Sequence, residues 1–201
     1  MITNNPKIEI IFLGNCQTLT YAKYFSDLMP NKNIKWVCPD LFSNLAPKDN
    51  WPISKSLWGA DLIENVVVMC QEEKHKLLSN CDFIVCNVMN KNISPLDNYD
   101  DLCNRYGEEK VVSITTHHEN LNGMIHRESV NKTHLKVSSL YTDFPDKAKT
   151  TSINHPNIFV VLECVRIICE HLNIPFFNEE DYNKHLKDDW ISVTLGKQKA
   201  T

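Results

Sequence analysis

Short apolar runs rich in β-branched residues alternate along this chain with segments whose apolar positions recur every three or four residues. A continuous run suits a strand buried on both faces, whereas the wider spacing lays an apolar stripe along a helix. Ile8 to Leu13 is the first such run, and from Gln17 to Met29 the residues Tyr21, Ala22, Phe25, Leu28 and Met29 fall on one helical face before Asn31-Lys32-Asn33 breaks it. Ile34 to Cys38 predicts a second strand ending at Pro39, and the three prolines up to Pro52 predict an ordered loop. Trp58 to Leu78 reads as helical, with the β-branched run Val66 to Val68 speaking against it; Cys81 to Met89 reads as a third strand. Leu96 to Tyr106 gives a short helix closed by Gly107, and Lys110 to Thr116 a fourth strand. The polar segment that follows, with His117, His118, His126 and His134, shows no clear period and reads as loop, where substrate contacts concentrate. The last strong pattern opens at Asn154-His155-Pro156 and runs through Phe159, Leu162, Val165, Ile168, Cys169 and Leu172 to a stop at Pro175. Pro156 fits a first helical turn, with Asn154 or His155 at the cap, and a helix apolar nearly all round is buried.

Strand and helix alternating at this spacing imply right-handed crossovers and a mainly parallel sheet with helices on both faces. The expected fold is therefore α/β, a three-layer α/β/α arrangement of flavodoxin-like order. At 201 residues the chain is read as a single domain, its core spanning about 8–175 and a charged tail running over 179–201 with one surface helix from Glu179 to Lys187.

A formal net charge of −4 implies no surface built for polyanions, which argues against nucleic acid as a partner. With no secretory signal pattern and no segment long and apolar enough to span a bilayer, the expected location is cytoplasmic. The eight cysteines lie mostly inside apolar segments and form no CxxC pair, so they read as reduced core thiols.

Candidate chemistry concentrates at Gly14-Asn15-Cys16-Gln17, where the first strand gives way to a helix. The first N–H groups of a helix are unpaired and lie at the positive end of its dipole, so anions and thiolates are stabilised there. Cys16 at that position is a candidate nucleophile of lowered pKa. Gly14 permits a tight turn and close approach by a ligand. Asn15 and Gln17 bring amide donors that either form an oxyanion hole or satisfy the turn's own backbone. His155, placed at a helix start, would be kept neutral by the dipole and able to accept a proton, provided the sheet brings it beside Cys16. His117 and His118 follow the fourth strand at its carboxyl end, where α/β sheets collect ligand-binding groups, and extended neighbours face opposite ways, so one of the two points into the cleft. His117, His118, Glu119, His126, Glu128 and His134 have no recognised ligand spacing, and no metal is expected. The lysines of Lys132 to Lys136 and Lys147 to Lys149 either contact phosphates or form a solvated face.

The strand followed by Gly14-Asn15-Cys16-Gln17, the third strand beginning Cys81-Asp82-Phe83-Ile84-Val85, the histidine after the fourth strand and Asn154-His155-Pro156-Asn157 resemble the WcbI family of polysaccharide biosynthesis enzymes over roughly residues 8 to 172. The resemblance implies an α/β fold similar to the SGNH hydrolases, binding of coenzyme A or acetyl-coenzyme A, and acetyl transfer in capsule or other surface polysaccharide synthesis. It marks Cys16 with Gly14, Asn15 and Gln17 as the core of the site and His155 as a second matched position, with His117 or His118 a weaker match. The stretches Trp51 to Leu78 and Asn120 to Lys149 carry no motif of that family.

Two chemistries fit. Cys16 thiolate attacks the acetyl thioester and passes the acetyl group to a sugar hydroxyl deprotonated by histidine. In the other, His155 or His117 deprotonates the hydroxyl for direct attack on bound acetyl-coenzyme A. The competing readings are an SGNH-like cysteine esterase or deacetylase, in which water accepts the acyl group, and a non-catalytic coenzyme A or nucleotide-binding module. The acceptor sugar or polysaccharide is not specified by the chain, and a homo-oligomeric state is left open.

Overall fold

The computed structural model describes residues 8–29, 32–37, 66–67, 71–87, 98–115, 117, 120–130, 133–152, 155–175 and 179–188. Its centre is a parallel sheet. Strand β1 (Glu9–Leu13) is flanked by β2 (Asn33–Val37) on one side and β4 (Phe83–Asn87) on the other, β5 (Val111–Ile114) pairs outside β4, and a two-residue β3 (Val66–Val67) pairs outside β2. The register sets Phe12 against Trp36 and Val85, and Val85 against Val112. Every described pair in this sheet is parallel, as strands joined by helical crossovers must be.

Alternation along the strands divides the core in two. Ile10, Phe12, Ile34, Trp36, Val85, Val112 and Ile114 pack on one face against α1 (Cys16–Leu28) and α6 (Ile158–His171). Ile11, Leu13, Val37, Ile84, Cys86 and Val111 face the other way, onto Leu78 of α2 (Gln71–Asn80) and Leu102 and Tyr106 of α3 (Tyr99–Tyr106). Helices thus cover both faces, as the alternating pattern predicts. On α1 the expected stripe of Tyr21, Ala22, Phe25, Leu28 and Met29 is buried. Gly107 ends α3 at φ 98°, and its N–H caps Cys103 O. Among the described residues, no helix is long and apolar enough to cross a membrane.

Three stretches depart from the sequence reading. Val66–Val67 is an edge strand, not helix, and the described helix that follows is Gln71–Asn80; the β-branched pair finds a ladder on β2. The remaining residues from Trp58 to Leu78 outside those spans, and the loop to Pro52, lie outside the described residues. The supposed loop after β5 contains α4 (Leu121–Val130) and α5 (Ser138–Asp143). Helix α4 escaped notice because Glu128 occupies an inward position: it is buried, accepting hydrogen bonds from the N–H and hydroxyl of Ser138.

The third departure concerns His155. Pro156 does not open a helix; His155–Pro156 forms β7, antiparallel to β6 (Thr150–Ser152), and α6 begins at Ile158. Asn157 is the cap. Its Oδ1 accepts from Val160 N at 3.4 Å and from Lys149 N at 3.2 Å, while its Nδ2 donates to Lys147 O at 2.7 Å. A proline without N–H suits a short edge strand as well as a first helical turn, and the better cap one residue later decides between them.

The C-terminal helix α7 (Glu179–His185) buries no residue fully but is tied to the body. Tyr182 donates to Glu163 Oε1 at 2.8 Å, and Asp188 just beyond the helix accepts from Tyr24 Oη at 3.2 Å.

Candidate functional site

Strand β1 runs through the middle of the sheet and ends at the Gly14-Asn15 turn, from which α1 starts. Gly14 adopts φ +153°, and its N–H donates to Val37 O at 3.4 Å across the sheet. The space a side chain would need is filled: a Cβ there would lie 2.5 Å from Asn87 Oδ1 and 2.7 Å from Thr18 Oγ1. Glycine therefore admits the Asn87 amide and the Thr18 hydroxyl to the backbone, a use of the turn different from ligand approach at that atom. Thr18 is itself fixed, donating to Asn15 O at 2.7 Å and accepting from Trp36 Nε1 at 3.3 Å.

Asn15 caps α1. Its Oδ1 accepts from Gln17 N at 3.0 Å, satisfying one of the helix's orphan donors, and its own N–H donates to Asn87 Oδ1 at 3.3 Å. Cys16 is the first residue of α1. Gln17 turns inward, 2% exposed, and clasps the backbone of a residue one hundred positions away: His117 N–H donates to Gln17 Oε1 at 2.8 Å, and Gln17 Nε2 donates to His117 O at 3.2 Å. The side-chain amide thus mimics a strand partner. It pins the chain leaving β5 to the start of α1.

His117 is buried, and its ring stacks on Tyr141 of α5 with centroids 5.3 Å apart at 26°. Its Nδ1 lies 2.8 Å from Tyr141 Oη. Burial holds the Tyr141 phenol well above its ordinary pKa, opposed by a hydrogen bond with Thr150 on β6.

Asn87, the last residue of β4, is missing from the sequence reading. It is 1% exposed, its Oδ1 takes the Asn15 N–H, and its Nδ2 has no hydrogen-bond partner among the described residues. A buried amide with an unused N–H costs about 1–3 kcal/mol, and this one sits at a strand's carboxyl end beside a helix start, where α/β sheets collect ligand-binding groups. The signal was a polar residue directly after Phe83-Ile84-Val85-Cys86, at the end of a fully apolar strand.

The structure therefore draws together Gly14, Asn15, Gln17 and His117, and adds Asn87 and Tyr141. His155 lies on β7, half-buried, its carbonyl accepting from Thr151 Oγ1 at 3.0 Å. Its imidazole pKa is lowered from 6.5, but burial is the cause rather than a helix dipole. His118 and the Cys16 side chain lie outside the described residues. Of the residues considered for a metal, Glu128 faces Ser138, and His134 Nδ1 accepts from Ser113 N at 3.3 Å while its Nε2 lies 3.1 Å from Tyr99 Oη; Glu119 lies outside the described residues. Among the described residues, no group of three or more His, Cys, Asp or Glu side chains could hold a metal ion.

Of the other described thiols, those of Cys81, Cys86, Cys164 and Cys169 are buried and that of Cys103 partly so. Burial pushes Cys81 up to about 11, and Cys164 and Cys169 up to about 12, so none of the three is ionised near neutral pH. No family model matches this chain, and no curated protein matches it either.

Proposed function

We propose that this protein transfers an acyl group, most simply acetyl from acetyl-coenzyme A to a sugar hydroxyl, at the turn between β1 and α1. The observation that carries the reading is the double hydrogen bond from the Gln17 side chain to the His117 backbone, which joins the helix start holding Cys16 to a histidine from the far end of the sheet. The buried amide at that junction fixes the His117 backbone against the start of α1, which supports a histidine serving this site.

In this reading the helix dipole favours the thiolate of Cys16, which attacks the acetyl carbonyl carbon and expels coenzyme A as a thiolate. The tetrahedral oxygen receives the unused N–H of Asn87 Nδ2. The acceptor hydroxyl gives up its proton to a histidine, attacks the acetyl-cysteine and releases Cys16. The parallel sheet with helices on both faces supports the three-layer part of this reading, while its strand order, β3-β2-β1-β4-β5, departs from the expected flavodoxin order 2-1-3-4-5. Asn15 and Gln17 serve this site by shaping it, since the described bonds of the Asn15 oxygen and the Gln17 amide run to Gln17 N and His117.

The test is intact mass and free-thiol release after mixing with acetyl-coenzyme A, comparing the wild type with Cys16→Ala. An acetyl adduct present in the first and absent in the second is expected. Binding with no adduct in the wild type would overturn the covalent route, and thioester consumption that needs no sugar acceptor would make the protein a hydrolase instead.

A further inference from the structure

The outer edge of β5 is met by a short piece of the chain between α4 and α5. Leu135 N–H donates to Ser113 O at 3.0 Å and Thr115 N–H to Leu135 O at 3.2 Å, making a parallel bridge between Ile114 and Leu135. His134 adds to it with both backbone and ring: its N–H donates to Ser113 Oγ at 3.1 Å, and its Nδ1 lies 3.3 Å from Ser113 N. A backbone N–H can only donate, so Nδ1 is the acceptor and the neutral ring carries its proton on Nε2, 3.1 Å from Tyr99 Oη. Ser113 is fully buried, and its N–H is spent on this imidazole.

Protonation acts on one side of the ring alone. The cation keeps its Nε2–H toward Tyr99 but places an N–H at Nδ1, head-on to that of Ser113, and turning the ring over sets a C–H there instead. Either way a buried backbone N–H loses its acceptor, and water replaces it only where the segment lifts from the edge. The hold is weakened at one further point, since Thr133 Oγ1 is buried with no hydrogen-bond partner among the described residues. We propose that His134 is a pH-sensitive latch, closed while its ring is neutral, whose protonation releases residues 133–135 from the outer edge of β5.

The groups set against the ring are Tyr99 of α3, edge-on at 5.2 Å with the Cys103 thiol bonded to its phenol, His171 at the end of α6, stacked at 5.6 Å, and, through its charge, Glu108. Burial and then His171 hold the latched imidazole below its ordinary 6.5, with Glu108 opposing them, so the latch is closed at neutral pH and is lost as pH falls through the lowered value. The released chain leads into α5, whose Tyr141 stacks on His117, but the latch works whether or not the site transfers acyl groups.

Native-state hydrogen exchange, read amide by amide from pH 7.5 to pH 5 and corrected for intrinsic rates, tests it. The opening constant at Ser113 and Leu135 is expected to rise roughly 3- to 10-fold across that range, while the Val112 amide, on the β4 side of the same strand, changes much less. Equal rises at Ser113 and Val112 would mean that the whole sheet opens, and no rise at Ser113 would mean that the ring holds nothing; either result overturns the latch. His134→Asn keeps an oxygen near the Nδ1 position that does not titrate, and should leave Ser113 exchange independent of pH. In His171→Gln the pH dependence should persist and move to higher pH, and its disappearance there would transfer the switch to His171. If His134→Asn does not fold, the contrast between Ser113 and Val112 in the wild type decides.

Discussion

At Gly14 a missing side chain does two things at once. The backbone takes a φ that L residues rarely adopt, and the vacated volume is occupied by Asn87 Oδ1 and Thr18 Oγ1. Gly14→Ala should therefore cost roughly 2–5 kcal/mol, combining backbone strain with overpacking, and urea unfolding of the variant measures it. A loss under 0.5 kcal/mol would mean that the Asn87 amide moves aside freely. At this scale the sequence was partly legible. The Gly-Asn-Cys-Gln turn announced itself through the switch from a β-branched run to helical spacing, whereas Asn87 did not, because a single polar residue closing a strand is common. Tyr141 left no trace in the pattern: only α5 packing beside the end of β5 gives it a meaning.

The strands were the elements read most securely, since Ile10-Ile11-Phe12-Leu13 and Ile84-Val85-Cys86 are apolar on both faces and nothing but a covered sheet accommodates them. His155-Pro156 was misread because local chemistry allows a proline in either a first helical turn or an edge strand, and the tie came from Asn157 binding Lys147 and Lys149, contacts that only the folded hairpin provides. Likewise, the bond between α1 and the end of β5 spans one hundred residues and follows from strand order alone. That bond is testable. Gln17→Ala leaves His117 N–H and C=O buried with their partner gone, and should destabilise the fold by about 2–4 kcal/mol, seen as a lowered urea midpoint. A midpoint equal to the wild type would show that the junction is held elsewhere.

At the scale of the whole molecule, folding keeps two of the described imidazoles less protonated than water does. His134 is lowered by burial and by the neighbouring His171, and His155 by burial. For a base of depressed pKa, the unfolded chain binds more protons between the folded pKa and the ordinary value of 6.5. Stability from this source is complete above pH 6.5 and is lost as pH falls through the lowered values. Thermal unfolding followed from pH 7.5 down to pH 5 should show the midpoint falling most steeply below about pH 6.5, and His134→Gln should flatten that slope. A midpoint independent of pH across that range would contradict it.

The two faces of the sheet are also closed at very different times in the life of the chain. Helix α1 is made well before α6, yet its Tyr21, Ala22 and Phe25 belong to the same core cluster as Val161, Leu162, Val165 and Ile168 of α6. At ribosomal speeds of about 5–20 residues per second, the apolar face of the nascent α1 waits roughly 7–30 seconds for its cover. During that interval the newborn chain presents a greasy stripe to the cell, which makes early α1 a natural client for chaperones that bind emerging polypeptides. A chain that ended before Ile158 would lack that cover.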